Sequence, residues 1–247
     1  MPLTGRTLLA VCLFLSLALT GCETMQAQPS KGAGFVPMDE MAPRADLPFQ
    51  KVWIKAGVDW DKYHKLYIEQ PNTDYLIKGN AWQEHFRKDK IQQDMKTIAD
   101  YMGNAFAKAF KDDPKKRYEI IDKPEPGSLT AEVALTELTP SNPVLEALGI
   151  AGPYGSGVVV QAAAKETGAR ATVAFEAKIL DSESGEVLAM FADREQGKFA
   201  PINLRGLTWY GECQASIDDW SKEFVEVANK RPDEVVKPSS PFTLSPW

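Results

Sequence analysis

RATVAFEAKILDSESGEVLAMFADR, residues 170–194, is the stretch from which the fold is read. Ala171, Val173, Phe175, Ala177 and Ile179 fall on alternate positions, the period of a β-strand with one face turned to a core. Asp181-Ser182-Glu183-Ser184-Gly185 then gathers polar residues and ends on glycine, which turns a chain without steric penalty. Residues 186–194 return to apolar and β-branched types. Two such runs around a five-residue loop predict an antiparallel hairpin.

Working outward, 129–138 alternates in the same way, with Leu129, Ala131, Val133 and Leu135 on one face, and reads as a half-buried strand. Pro124, Pro126 and Gly127 turn the chain between it and a short β-rich run at 118–121. Further upstream, 51–54 and 64–68 read as strands on either side of the turn Gly57-Val58-Asp59-Trp60-Asp61. Two segments change period. Over 87–111, Ile91, Met95, Ile98, Ala99, Met102, Phe106, Ala109 and Phe110 share one face of a 3.6-residue repeat, and Pro114 follows. Over 207–229, Trp209, Cys213, Ile217, Trp220, Phe224, Val227 and Ala228 do the same. The expectation is one α+β domain over 49–230, a mainly antiparallel sheet with two long amphipathic helices packed on it.

The flanks differ. Pro29, Pro37, Pro43 and Pro48 break helix and ladder alike, so 22–48 reads as a flexible tether with a coil span of about 25–30 Å. Pro232, Pro238, Pro241 and Pro246 mark 231–247 as a Pro-rich tail, which excludes a terminal barrel strand at Trp247. Residues 1–21 have the layout of a secretory signal peptide: Arg6, then thirteen uncharged residues, too few for a membrane span. Leu19-Thr20-Gly21-Cys22 closes that run and resembles the lipobox of bacterial lipoproteins. The resemblance implies cleavage between Gly21 and Cys22, acylation of Cys22 with palmitate-type chains, and anchoring in lipid. Several acyl chains at about 0.8 kcal/mol per buried methylene make such an anchor effectively permanent. Glu23, where an aspartate would signal inner-membrane retention, implies the periplasmic face of the outer membrane.

Of 247 residues, 44% are hydrophobic and 10% aromatic, enough for a packed core. Without Arg6 the chain keeps 27 lysines and arginines against 34 acids, an acidic balance that argues against nucleic acid as a partner. With Cys12 removed and Cys22 acylated, Cys213 has no disulfide partner, and its place on the apolar helix face predicts a shielded structural thiol. Lys108, Lys111, Lys115, Lys116 and Arg117 crowd the end of the first helix. They read as cations favoured by the helix dipole rather than as a patch for anionic glycan or lipid. Residues 149–164, GIAGPYGSGVVVQAAA, lack the Lys-Ser/Thr ending of a phosphate loop and the first glycine of a serine elbow. They read as a loop or a close-packing surface.

The order of these features resembles the uncharacterised bacterial lipoproteins of domain-of-unknown-function family 3313. The resemblance runs over about 35–230, on the Val52-Trp53 strand, Gly57-Val58-Asp59-Trp60, the Leu129 strand, Leu180-Asp181 through Ser184-Gly185-Glu186-Val187-Leu188, and Ile217-Asp218-Asp219-Trp220. It implies no activity. His64 and His85 have no metal-ligand spacing, and no cofactor is expected. The expectation is a non-enzymatic, lipid-anchored envelope protein that binds a protein or glycan partner. Two alternatives stand beside it. One is a homo-oligomeric assembly or secretion accessory using 149–164; the other is a glycan hydrolase using Asp59, Asp61 or His64.

Overall fold

The computed structural model describes residues 27–76, 91–141, 171–200 and 204–245. Six strands form one sheet: β1 (Lys51–Ile54), β2 (Lys65–Ile68), β3 (Glu119–Ile121), β4 (Leu129–Thr139), β5 (Thr172–Asp181) and β6 (Val187–Gln196), in the order β1-β6-β5-β4-β2-β3. Two long helices lie on it, α1 (Ile91–Asp112) and α2 (Gly211–Asn229). The hairpin read from residues 170–194 is β5–β6. Its loop is held by Asp181 Oδ1, which accepts from Glu183 N and Ser184 N, and Gly185 takes the turn at a φ of 71°.

The α+β reading holds, but the sheet is mixed rather than mainly antiparallel. β1, β6, β5 and β4 pair antiparallel, whereas β2 pairs parallel with both β3 and β4. The connection between β2 and β3 contains α1, so the chain returns to begin β3 in the direction of β2. The Pro124–Pro126 loop then crosses β2 instead of closing a hairpin, which lays β4 on the other side of β2. Local turn chemistry identified the loop but not the strand it passes over.

One face of the sheet carries the core. Val52, Val133, Leu135, Val173, Phe175 and Phe191 meet Ile98, Met102 and Phe106 of α1 and Ile217 and Trp220 of α2. The two helices run the same way: Tyr210 donates to Asp94 near their starts, Tyr101 to Asp218 midway, and Asn229 to Asp113 at their ends. Helix α2 begins four residues later than its apolar period suggests, because Arg205–Leu207 first makes a separate 3₁₀ turn.

The opposite face is also covered, which corrects two expectations. Residues 33–41, expected within a tether, form a strap over it: Val36 and Met41 pack on Met190 and Ala192. Glu176, fully buried in the middle of β5, accepts from Ala33 N at 2.5 Å and Val36 N at 2.8 Å. The strap then pairs Ala42 with Val52 on the open edge of β1 and sends Leu47 and Phe49 into the helix-side core. The tail returns as well. Val236 N donates to Asp46 O, and Phe199 exchanges backbone hydrogen bonds with Pro241 and Thr243. With both faces covered, β4 is buried on both sides along most of its length, and β5 over residues 173–177, instead of half-exposed.

Candidate functional site

Between the sheet and the C-terminal halves of both helices lies a cavity of about 530 Å³. Its floor is the helix-side face of the sheet, where alternation places Leu66, Leu129, Ala131, Ala177 and Ala189. Its roof is Phe106 and Phe110 of α1 with Phe224, Val227 and Ala228 of α2. The space arises where small and large residues meet. Alanines stand on the sheet at 131, 177 and 189, while Phe224 is held away by rings on several sides: Phe49 at 4.5 Å, Phe106 and Phe191 at 5.4 Å and Phe175 at 5.5 Å between centroids. Phe224, Ile54, Ile68 and Ile179 are only half-buried, and all four line this space.

Charge is confined to the rim, which is lined by Arg44, Arg117, Lys230 and Arg231 against Asp46 and Asp61. Arg44 grips Asp46 through Nε at 2.9 Å and Nη2 at 2.8 Å, and Lys230 Nζ lies 3.1 Å from the same carboxylate. The Arg44 hydrogen bonds, with help from Lys230, hold the Asp46 carboxyl down at about 2. Arg117 is a structural clasp: it donates to Tyr63 O at 2.9 Å and Trp60 O at 2.6 Å, and its contact with Asp61 is 3.4 Å. Its interior offers aliphatic and aromatic surface with a few charged groups beside it, the make-up common to small-molecule pockets.

The residues singled out in the sequence distribute as follows. Asp59 caps the short turn at Trp60–Lys62 by accepting from Asp61 N, Asp61 is almost wholly exposed, and His64 is exposed just ahead of β2. Cys213 is buried, and burial pushes its thiol far above the ordinary range. Of the basic run, Lys108 pairs with Asp112 and Lys116 reaches Lys111 O, as expected for cations at a helix end, and Arg117 joins the rim. Gly21, Cys22 and Glu23, His85 and the 149–164 stretch lie outside the described residues. The sequence reading missed the cavity altogether. Arg44, Asp46 and Arg231 sit in segments taken for tether and tail, and the one available signal was the alanines facing phenylalanines across the apolar faces.

A family model described as "Protein of unknown function (DUF3313)" matches residues 33–224, from the strap to the rim side of α2. No curated protein matches the chain in sequence. Among solved structures, the PelC dodecamer from Paraburkholderia phytofirmans is similar at 9% identity with a TM-score of 0.38, covering 70% of this chain and 94% of that one. A PelC variant dodecamer from the same organism is similar at 10% identity with a TM-score of 0.35 and the same coverage. Likeness at that distance carries no functional argument.

Proposed function

Since the chain belongs to the DUF3313 family, whose description names no activity, we propose a function on its own residues: a non-enzymatic binding protein that takes an apolar ligand into the cavity between sheet and helices. The cavity carries this reading. Its lining is mostly apolar, yet Phe224, Ile54, Ile68 and Ile179 remain only half-buried around it, which leaves apolar surface for a ligand to cover. Larger side chains at Ala131, Ala177 or Ala189 would fill it, so packing does not account for its presence. This reading names a small apolar ligand beside the protein or glycan partner expected from the sequence. The test is a fluorescence titration of the full chain with N-phenyl-1-naphthylamine. Saturable uptake of one probe per chain, lost in Ala131→Phe with cooperative unfolding retained, supports the reading; unsaturable uptake, or uptake indifferent to the substitution, removes it.

The same proposal places the protein in the envelope, held through an acylated Cys22 on the periplasmic face of the outer membrane. Support comes from the Leu19–Cys22 pattern and from Glu23. Cys22→Ser is expected to abolish palmitate labelling and move the protein from the membrane fraction to the soluble periplasm. Unaltered labelling and fractionation would remove the anchor.

A further inference from the structure

The rim distinguishes among apolar ligands. Arg44 and Lys230 converge on one carboxylate, Asp46, so two positive charges share a single negative one at the mouth of an apolar interior. Both helices end near this rim, where the partial negative charge of their last carbonyls favours cations: Lys115 Nζ lies 3.4 Å from Asn229 O at the end of α2, while Lys230 Nζ lies 3.2 Å from Arg231 O, just beyond it. Arg44 comes from the strap and owes nothing to a helix end. Arg231, with its side chain largely in solvent, faces Glu234 at 2.8 Å and Asp233 at 3.8 Å. Arg117 is held by carbonyls and Asp61. The four cations Arg44, Arg117, Lys230 and Arg231 meet four acids, so the rim as a whole balances; the excess of cation over acid is local to Arg44–Asp46–Lys230 and is matched by the two acids around Arg231.

We propose that the cavity binds a single-chain anionic amphiphile, its hydrocarbon inside and its carboxylate at Arg44 and Lys230. This rests on the apolar-ligand reading above and adds the sign of the head group and the length of the chain. With a methylene close in size to a water molecule, about 30 Å³, a volume of about 530 Å³ corresponds to about eighteen carbons.

The experiment uses the full chain held in amphipol, whose own uptake of each ligand cancels when variants are compared. Saturated carboxylates of rising length, the matching alcohols and the matching alkyltrimethylammonium ions compete with bound N-phenyl-1-naphthylamine. Affinity of the carboxylates is expected to rise about fourfold per methylene and to level off at about eighteen carbons. The carboxylate is expected to exceed the ammonium of equal length by tenfold or more. Asp46→Asn, which releases Arg44 and Lys230 from their shared partner, is expected to tighten carboxylates several-fold. Arg44→Gln is expected to weaken them comparably, with the alcohols unmoved by either change. Arg231→Gln, at an exposed site, serves as a second rim variant and is expected to act weakly in the same direction as Arg44→Gln. Equal affinity for carboxylate and ammonium, or identical responses of carboxylate and alcohol to Asp46→Asn, overturns the head-group assignment while leaving the apolar-ligand reading in place. Failure of every chain and of the probe overturns both.

Discussion

Thr136 stands where β4 and β5 shift register, between the pairs Leu135–Phe175 and Glu137–Ala174. Its side chain is fully buried, and its Oγ1 meets no donor or acceptor among the described residues. An unsatisfied hydroxyl in that position costs about 1–3 kcal/mol, so Thr136→Val should raise stability by about 1 kcal/mol; a lowered urea midpoint would mean that the hydroxyl has a partner. Trp220 shows the satisfied counterpart, since its indole N–H donates to buried Asp193 at 2.8 Å. At this scale the sequence was informative wherever a residue's neighbours lie along its own helix. Cys213 is shielded as its place on the apolar face of α2 implied, because helical period fixes which side a residue takes. Thr136 was not legible. Its strandward neighbours suggested a solvent face, and the bulge that turns it depends on where β5 begins.

Among the elements, the junction of β6 with α2 gathers acids. Burial pushes Asp193 up to about 6 and both Glu195 and Glu223 up to about 8, and the carboxylates of Asp193 and Asp219 add to the rise against Lys198. Carboxyls raised in the folded state hold protons that the unfolded chain has given up. Their contribution is therefore complete below about pH 4 and fades as pH climbs toward 8. Glu223→Gln, which keeps an oxygen to accept from Ser239 N, should flatten that decline and leave the variant about 1–3 kcal/mol ahead of the parent at pH 8. Urea midpoints at pH 5 and pH 8 measure it, and an unchanged difference between the two would count against the cluster. The strap is the second element with a decisive partner. Glu176→Ala removes the acceptor of Ala33 N and Val36 N, with an expected loss of about 2 kcal/mol and faster tryptic cutting after Lys31 and Arg44. Equal cutting rates would show the strap to be held by its side chains alone. The prolines at 29, 37, 43 and 48 were read as a tether because they forbid ladder and helix. Burial needs neither: Val36, Met41, Leu47 and Phe49 supply apolar surface, and the decisive acceptor lies 140 positions further along the chain. The strands and helices were legible because each declares itself by period. Their pairing was not, since β2 meets β4 only through a loop that crosses over it.

For the whole molecule, the covered sheet and the parallel helices make one body in which the described strap and tail are structural parts. That arrangement explains why the cavity rim escaped notice: Arg44 and Asp46 arrive from one end of the chain, Lys230 and Arg231 from the other, and only the closed fold brings them together. It also bears on the anchor proposed at Cys22. Ala27 is already docked, its carbonyl accepting from Gln50 Nε2. With acyl chains on Cys22, five residue steps separate anchor from body, a reach of about 17 Å at full extension. Under the proposed anchoring, a leash that short would confine the body to the immediate neighbourhood of the head groups, with little freedom to sweep the aqueous space beyond. Whatever it exchanged would then be met at arm's length from the membrane surface, and a spacer inserted ahead of Ala27 would loosen that confinement without touching the fold.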